Sequence, residues 1–318
     1  MNMAETCNLQ SLRGALRLNE PMARHVSWRA GGVAARTYAP ADLDDLCAFL
    51  RSISRTEGLY FVGLGSNLLV RDGGVRATVV FTHWALKQIA LLTGLAPLST
   101  GESNIEIHAG AGVASPKVAR FAALHGAQGA EFLAGIPGTI GGALAMNAGC
   151  YGGETWALVS SVTTIDRAGV LHQRARDEFQ IGYRSVKSIR GVADEWFVSA
   201  NFKVPHGDGD NAGEKSRNKI KDLLSRRIAS QPLQQPNAGS VFRNPPNDHA
   251  ARLIEACGLK GTRIGGAEIS LKHANFIVNT GDATAADIES LIDLAHNSVR
   301  EKFGVELERE VRIIGERA

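Results

Sequence analysis

The stretch 135–149, GIPGTIGGALAMNAG, decides the fold. It contains no charged side chain, and glycine, alanine, isoleucine and leucine make up most of it. Glycine permits positive φ angles and removes the Cβ atom that would keep a bulky group away from the backbone. Consecutive backbone N–H groups in such turns form concavities that bind anions. The stretch therefore predicts a backbone cradle for a pyrophosphate, while a tight turn between buried elements stays an equal alternative.

The overall composition is typical of a globular protein and is compatible with a small anionic substrate. The 318 residues suffice for one large or two to three ordinary domains, with 44% hydrophobic and 21% charged residues. A net charge of +3 is too small to argue for nucleic acid but suits an anionic small substrate. The cysteines lack CxxC spacing, so neither a metal site nor a disulfide framework is expected. We expect a cytoplasmic protein, because no signal peptide or membrane-spanning run is recognisable.

Hydrophobic spacing and end signals predict a mixed α and β chain. Helices are expected over Leu43–Ile53, Ser115–Gly126, Lys215–Ser230 and Ala250–Cys257, and from the capping pair Thr284 and Asp287 to Gly304. Strands are expected within Arg24–Ala39, Tyr60–Val62, Leu68–Val70, Ala77–Phe81, Ile105–His108, Val159–Val170, Trp196–Val204, Ala267–Asn279 and Val305–Ile314. The polar segment His206–Arg217 is predicted to be a linker. Leu92–Asn104 and His206–Gly213 are predicted to be local insertions without function.

Two common nucleotide-binding motifs are disfavoured by the glycine spacing. The turn Gly63–Asn67 follows a predicted strand, as dinucleotide-binding turns do, but it lacks the GxGxxG spacing. Gly110 and Gly112 come closest to that spacing, and the third glycine is missing. No GK[ST] follows any glycine cluster, so a P-loop is disfavoured as well.

Three polar residues stand out as candidates for chemistry. Arg184 could clamp a carboxylate or phosphate with its planar guanidinium, although a solvated strand residue is the more common case. Ser240 could donate a proton into a cleft, although a serine in a turn is the more common case. Glu310 could act as acid or base, or form an exposed ion pair with a neighbouring arginine.

The motifs together resemble one enzyme family. GIPGTIGGALAMNAGCYG, GSVFRNP and LEREVRIIG occur in this order, and the match extends over nearly the whole chain from about residue 20. On these motifs the chain is similar to the UDP-N-acetylenolpyruvoylglucosamine reductases. The resemblance implies an α+β fold of the vanillyl-alcohol-oxidase type. It would comprise FAD-binding subdomains over residues 1–81 and 82–213 and a substrate-binding domain over 214–318, whose last residues could pack back on the FAD-binding part.

The resemblance also implies a reaction. NADPH would reduce FAD, and the enzyme would then reduce UDP-N-acetyl-3-O-(1-carboxyvinyl)-glucosamine to UDP-N-acetylmuramate, a precursor of peptidoglycan. Hydride would reach C3 of the enolpyruvyl group, and a proton would reach C2. A preorganised cation and a hydrogen-bonding acid suit the negative charge that develops on the substrate carboxylate.

Site residues follow from the matching positions. The catalytic residues implied are Ser240 as proton donor, with Arg184 and Glu310 acting on the carboxylate and the enol. The residues implied to bind FAD are Gly63, Gly65, Ser66, Asn67, Gly135, Ile136, Pro137, Gly138, Gly142, Asn147 and Gly149. The residues implied to bind the sugar nucleotide are Tyr183, Asn244 and Arg227. The neighbouring Arg226 is an alternative to Arg227 in this role. No metal is expected, and the protein is expected to be a monomer without nucleic-acid or membrane partners.

One departure indicates a subtype. Only a short stretch, Pro246–Arg252, separates the GSVFRNP motif from Leu253, which leaves no room for the tyrosine-bearing loop that some family members carry. The resemblance therefore implies the subtype that lacks this loop. Two alternatives stay open: an FAD-linked small-alcohol oxidase of the same superfamily, and a nucleic-acid-binding protein that uses the basic helix around Lys215–Arg227.

Overall fold

The computed structural model describes residues 12–92, 104–191, 194–207, 209 and 211–318. These residues form two compact units, between which the chain passes several times. The first unit contains residues 12–16, Tyr38–Gly63 and the described part of Val79–Ser225. The second contains Arg17–Thr37, Leu64–Thr78 and Arg226–Ala318. The division into domains 1–81, 82–213 and 214–318 stays a prediction.

The described residues form six α-helices and eighteen strands. The α-helices are α1 (Leu43–Ser52), α2 (Ser115–Leu124), α3 (Ile140–Ala145), α4 (Ala212–Ser230), α5 (Ala250–Ala256) and α6 (Ala285–Phe303). The strands are β1 (Ala15–Pro21), β2 (Val33–Ala39), β3 (Leu59–Val62), β4 (Leu68–Val70), β5 (Val75–Phe81), β6 (Ile89–Leu91), β7 (Asn104–Gly110), β8 (Gly149–Cys150), β9 (Gly153–Glu154), β10 (Val159–Asp166), β11 (Leu171–Ala175), β12 (Phe179–Gly182), β13 (Ser185–Ser188), β14 (Glu195–Pro205), β15 (Arg263–Ile264), β16 (Ala267–Ile269), β17 (Ile277–Asn279) and β18 (Arg312–Ile314).

An antiparallel sheet with the order β11-β10-β14-β7-β6 is the centre of the first unit. Its register pairs Val162 with Ala200 and Phe202 with Ile107, and all four side chains are buried. Apolar residues of α2 and α3 belong to the same core, together with Trp156. A second core in this unit surrounds α1, where the rings of Tyr38 and Phe49 stack at 3.9 Å.

Helix α6 and the sheet β15-β16-β17 form the core of the second unit. Buried residues recur along α6 at helical spacing: Ile288, Leu291, Ile292, Ala295 and Val299. Thr284 and Asp287 form the predicted capping box, and Gly304 ends the helix with a φ of 67°. A separate four-stranded sheet has the order β1-β2-β5-β3, and the boundary between the units falls within β1, β2 and β5.

Most predicted elements are confirmed, and a few are wrong for identifiable reasons. The predicted strand Val305–Ile314 is a strand only over Arg312–Ile314, where it pairs with β4. Residues 24–30 are not a strand, because Met22–Arg24 form a 3₁₀ turn and Arg29 has a φ of 55°, which is incompatible with extended backbone. The predicted linker His206–Arg217 is partly helical, since α4 begins at Ala212.

Some predictions concern residues outside the described ranges. These are the absence of a signal peptide, residues 93–103 of the insertion Leu92–Asn104, and residues 208 and 210 of the insertion His206–Gly213. Within the described residues, no helix combines the length and the apolar character that crossing a bilayer would require.

Candidate functional site

The glycine-rich stretch 135–149 contains a short helix that its composition did not predict. A 3₁₀ turn over Glu131–Gly135 leads into it, and α3 occupies Ile140–Ala145. The amide of Ile140 donates to the Val113 carbonyl and that of Gly141 to the Ala111 carbonyl, each at 2.8 Å. Two of the backbone donors expected for an anion are therefore bonded within the fold, and the candidate cradle must rely on other groups as well.

Two buried hydroxyls supply such groups. Thr139 is 1% exposed and Ser115 is fully buried, and neither hydroxyl oxygen has a hydrogen-bond partner among the described residues. The two residues lie close together, because the Ser115 amide donates to the Gly138 carbonyl at 3.0 Å. Leaving a buried hydroxyl without a partner costs about 1–3 kcal/mol, so such oxygens usually mark a ligand or a bound water.

Sequence reasoning missed both hydroxyls. Ser115 begins α2 as predicted, but Ala114 takes the N-cap position and the Ser115 side chain makes no capping bond. Thr139 lies inside the GIPGTIGG motif, where the glycines drew attention to the backbone instead. For Thr139, the signal available in the sequence was a hydroxyl residue between Gly138 and Gly141.

The turn at Gly63 approaches the same threonine. A Cβ atom on Gly63 would lie 2.3 Å from the Thr139 Oγ1 atom, so only glycine fits there. Gly142 is exposed, and a Cβ at that position would have no atom closer than 4.0 Å, again Thr139 Oγ1. Glycine backbone thus lies next to a buried, unsatisfied hydroxyl, and the space at Gly142 is open. This combination fits a cofactor diphosphate, which needs close backbone approach and hydrogen-bond donors.

The rest of the Gly63–Asn67 turn belongs to the second unit. Gly65 has a φ of 59°, and a Cβ there would lie 2.2 Å from the His25 carbonyl oxygen. Ser66 is half-buried. The side-chain amide of Asn67 donates to the Glu310 carbonyl at 3.0 Å, and the Asn67 carbonyl accepts from the Arg312 amide at 3.0 Å. One end of a predicted cofactor turn is therefore joined to the segment that holds a predicted catalytic residue.

Arg184 occupies the two-residue turn of the hairpin β12-β13 in the first unit. Its φ is 52°, and its guanidinium lies over the ring of Tyr183 at 5.1 Å from the centroid. Its Nη2 donates to the Gly149 carbonyl at 2.9 Å and its Nη1 to the Asn147 carbonyl at 3.5 Å. The end of the glycine-rich stretch therefore fixes the plane of the guanidinium, which is half-buried.

Asn147, expected to bind the cofactor, makes internal contacts with its side chain. Its Nδ2 donates to Glu154 Oε2 at 2.9 Å and to the Gly182 carbonyl at 3.1 Å, and its Oδ1 accepts from the Trp156 amide at 3.1 Å. The residue is fully buried with a φ of 46°. Its side chain thus joins the glycine-rich stretch to the hairpin that carries Arg184.

Ser240 and Glu310 lie close together in the second unit. Val241, the residue after Ser240, accepts a hydrogen bond from the Glu310 amide at 2.8 Å and one from the Val311 amide at 3.3 Å. Both Ser240 and Glu310 are half-buried. The structure therefore brings the backbone segments that carry Ser240 and Glu310 together, although the two residues are 70 positions apart in the sequence.

The side chains of Asn244 and Arg227, the predicted substrate residues of the second unit, make hydrogen bonds to residues close to them in the sequence. Asn244 Oδ1 accepts from the Ala250 amide at 3.1 Å at the start of α5, and Arg227 Nε donates to Gln231 Oε1 at 2.8 Å.

Burial lowers the pKa of His273 below its ordinary value, which favours a neutral imidazole. No group of three or more metal-ligating side chains occurs among the residues described by the structure.

Known proteins match nearly the whole length of this chain. The model of the UDP-N-acetylenolpyruvoylglucosamine reductase C-terminal domain matches residues 231–314, and the FAD binding domain matches 34–173. A UDP-N-acetylenolpyruvoylglucosamine reductase from Thiobacillus denitrificans is 57% identical over 96% of this chain and 94% of its own length. One from Nitrosospira multiformis is 56% identical over 99% and 94%. The crystal structure of the Thermus caldophilus reductase is 29% identical, covers 95% of this chain and 99% of its own, and has a TM-score of 0.74.

These matches confirm the expected α+β fold with an FAD-binding domain, and they support an FAD-binding oxidoreductase of this kind over a small-alcohol oxidase. Gly63 and Thr139 lie within the range matched by the FAD binding domain, and Ser240 and Glu310 lie within the range matched by the C-terminal domain. The chain belongs to the UDP-N-acetylenolpyruvoylglucosamine reductase family.

Proposed function

We propose that Ser240 donates the proton in an NADPH-dependent reduction of UDP-N-acetyl-3-O-(1-carboxyvinyl)-glucosamine to UDP-N-acetylmuramate. The observation that carries this proposal is the backbone link between Val241 and Glu310, which brings the segments that carry Ser240 and Glu310 together. A serine alone is a weak acid near neutral pH and needs support from neighbouring groups. The pairing with the Glu310 segment and the matched family together favour proton transfer at this position over a purely structural turn.

FAD would be held by the uncharged groups of the first unit and by the turn that begins at Gly63. Thr139 and Ser115 offer buried hydroxyls, and the glycines allow backbone contact with the diphosphate. Bound FAD supplies the redox chemistry, because it accepts a hydride from NADPH and makes one available to the substrate.

The proposed roles of the side chains follow the charge that develops on the substrate. Hydride addition at C3 moves the electron pair of the carbon–carbon double bond towards the carboxylate. Arg184 stabilises that negative charge, and Glu310 hydrogen-bonds the enol form. Ser240 then transfers its proton to C2, which completes the addition of one hydride and one proton. Tyr183, Asn244 and Arg227 orient the sugar nucleotide.

The experiment separates the two half-reactions. Ser240→Ala should leave reduction of bound FAD by NADPH unchanged and slow the reoxidation of reduced enzyme by the enolpyruvyl sugar nucleotide by about 10²–10³-fold. Ser230→Ala is the matched control, because that exposed serine bonds only to its own helix, at the Arg226 carbonyl. Equal slowing of both half-reactions by Ser240→Ala would contradict the assigned role.

We also propose the finer points of the family assignment. The enzyme acts in the cytoplasm as a monomer and lacks the tyrosine-bearing loop, since only residues 245–249 lie between Asn244 and α5. Sedimentation of the purified protein tests the monomer, and a mass of twice 33.9 kDa would contradict it. Two observations together would exclude oxidase chemistry: the enzyme forms little peroxide, and it oxidises NADPH only when the sugar nucleotide is present.

A further inference from the structure

The two residues after Ser240 have every backbone polar group bonded. The Val241 amide donates to the Asn275 carbonyl at 2.9 Å, and the Val241 carbonyl accepts from Glu310. The Phe242 amide donates to Asn275 Oδ1 at 3.0 Å, and the Phe242 carbonyl accepts from Asn275 Nδ2 at 2.8 Å. A single residue, Asn275, therefore makes three of these bonds.

The side chain of Asn275 acts towards Phe242 as a neighbouring strand would. It pairs with both the amide and the carbonyl of one residue, which a backbone partner does in an antiparallel ladder. Asn275 is 3% exposed, and Val241 and Phe242 are 1% exposed, so water does not compete for these bonds. Buried paired amides of this kind fix local geometry, because losing one partner leaves a desolvated group unsatisfied.

The other side of Ser240 is less constrained. Gly239 has a φ of 77°, and a Cβ atom there would meet nothing within 4 Å. Its amide donates to Asn237 Oδ1 at 3.0 Å within the same turn. Because a flexible glycine precedes Ser240, the direction of the serine side chain depends on the residues that follow it.

We infer that Asn275 is a positioning residue for Ser240, an inference that rests on the proposed role of Ser240 as proton donor. The carboxamide of Asn275 holds Phe242 and its backbone carbonyl holds Val241, and these two residues fix the Cα–Cβ direction of the serine. Proton transfer to carbon requires the donor to be placed within a fraction of an ångström. Asn275 contributes this placement and has no direct contact with the substrate in the proposed mechanism.

A double-mutant comparison tests the inference in the flavin-loaded enzyme. Asn275→Ala should slow reoxidation by the enolpyruvyl sugar nucleotide about 10–100-fold and leave reduction by NADPH unchanged. In a Ser240→Ala background, the same change should slow reoxidation by less than about threefold, because residues that act as a unit are not additive. The solvent deuterium isotope effect on reoxidation should rise in Asn275→Ala, since proton transfer becomes slower.

Asn279→Ala is the matched control. Asn279 is also buried, at 4%, and its side chain bonds to Trp28, Gly281 and Ala283, none of which is adjacent to Ser240. Both variants should lower the thermal midpoint, but only Asn275→Ala should alter reoxidation and its isotope effect. If Asn275→Ala does not fold, Asn275→Ser takes its place, because the hydroxyl can still bond one backbone group.

The outcomes separate the inference from the proposed function. A full additional loss from Asn275→Ala in the Ser240→Ala background, or an equal loss from Asn279→Ala, would overturn the positioning role and leave Ser240 as proton donor. Normal reoxidation in Ser240→Ala alone would overturn the proposed role of Ser240, and the inference would fall with it.

Discussion

Replacing Gly65 by alanine should destabilise the protein more than the same change at another left-handed glycine. At φ 59° an alanine costs about 1–2 kcal/mol relative to glycine. The new Cβ would also lie 2.2 Å from the His25 carbonyl oxygen and 2.8 Å from Val26 Cα, both backbone atoms that cannot rotate away. Such overpacking costs a further 1–3 kcal/mol or so, which gives a total of about 2–5 kcal/mol.

Gly258→Ala isolates the clash from the left-handed conformation. Gly258 has a φ of 75°, and a Cβ there meets nothing within 4 Å. Both variants reduce the freedom of the unfolded chain equally, so that effect cancels in the comparison. The thermal midpoint of Gly65→Ala should lie about 2–12 °C below that of Gly258→Ala. Its content of bound flavin should also be lower, since the Gly63–Asn67 turn is a predicted cofactor site. Equal midpoints for the two variants would refute the reasoning.

Two other changes have outcomes that follow from the hydrogen bonds. Arg184→Lys removes the planar fork that reaches the Gly149 and Asn147 carbonyls, so kcat/KM for the sugar nucleotide should fall about 10–100-fold. Arg190→Lys, two residues after the same hairpin, should not change kcat/KM. Equal effects of the two variants would contradict the role of Arg184. Arg71 bonds both oxygens of Glu289 and lowers its pKa below the ordinary 4.5, so this pair stabilises the fold above that pH and the contribution is lost as pH falls through the lowered pKa. The thermal midpoints of Glu289→Gln and wild type should therefore converge as the pH falls below 4.5, and parallel curves would contradict this origin of the stability.

Elements that carry their own signals could be predicted from the sequence. Helix α6 has an apolar stripe, a capping box and a terminal glycine, and all three are local properties of the chain. By contrast, α3 contains Gly141 and Gly142, which oppose helix formation in isolation. It forms because tertiary contacts override propensity: a Cβ on Gly141 would lie 2.9 Å from the Ala111 Cβ, so only glycine lets α3 pack this closely.

The candidate site divides in the same way. Ser240 and Glu310 were recognisable from motif resemblance, but their proximity depends on the pairing of Val241 with residues near the C-terminus. Whether the Thr139 hydroxyl finds a hydrogen-bond partner among the described residues depends on which donors and acceptors lie close to it in space, and no sequence pattern indicates that. Asn275 escaped notice for the same reason, because its partners lie 33 positions away.

The parallel pairing of β18 with β4 explains why one turn can serve two predicted purposes. Arg312 aligns with Leu68 in this register, which places Asn67 beside Glu310 and allows the asparagine to bond the backbone on both sides of Val311. A shift of one residue would turn the side chains of β18 to the opposite face and would break the bonds of Asn67. The sequence after Gly65 therefore determines the position of Glu310 as well as the shape of the turn. A change in the register of β18 should then impair flavin binding and substrate reduction together, whereas a change in the side chain of Glu310 alone should impair only the second.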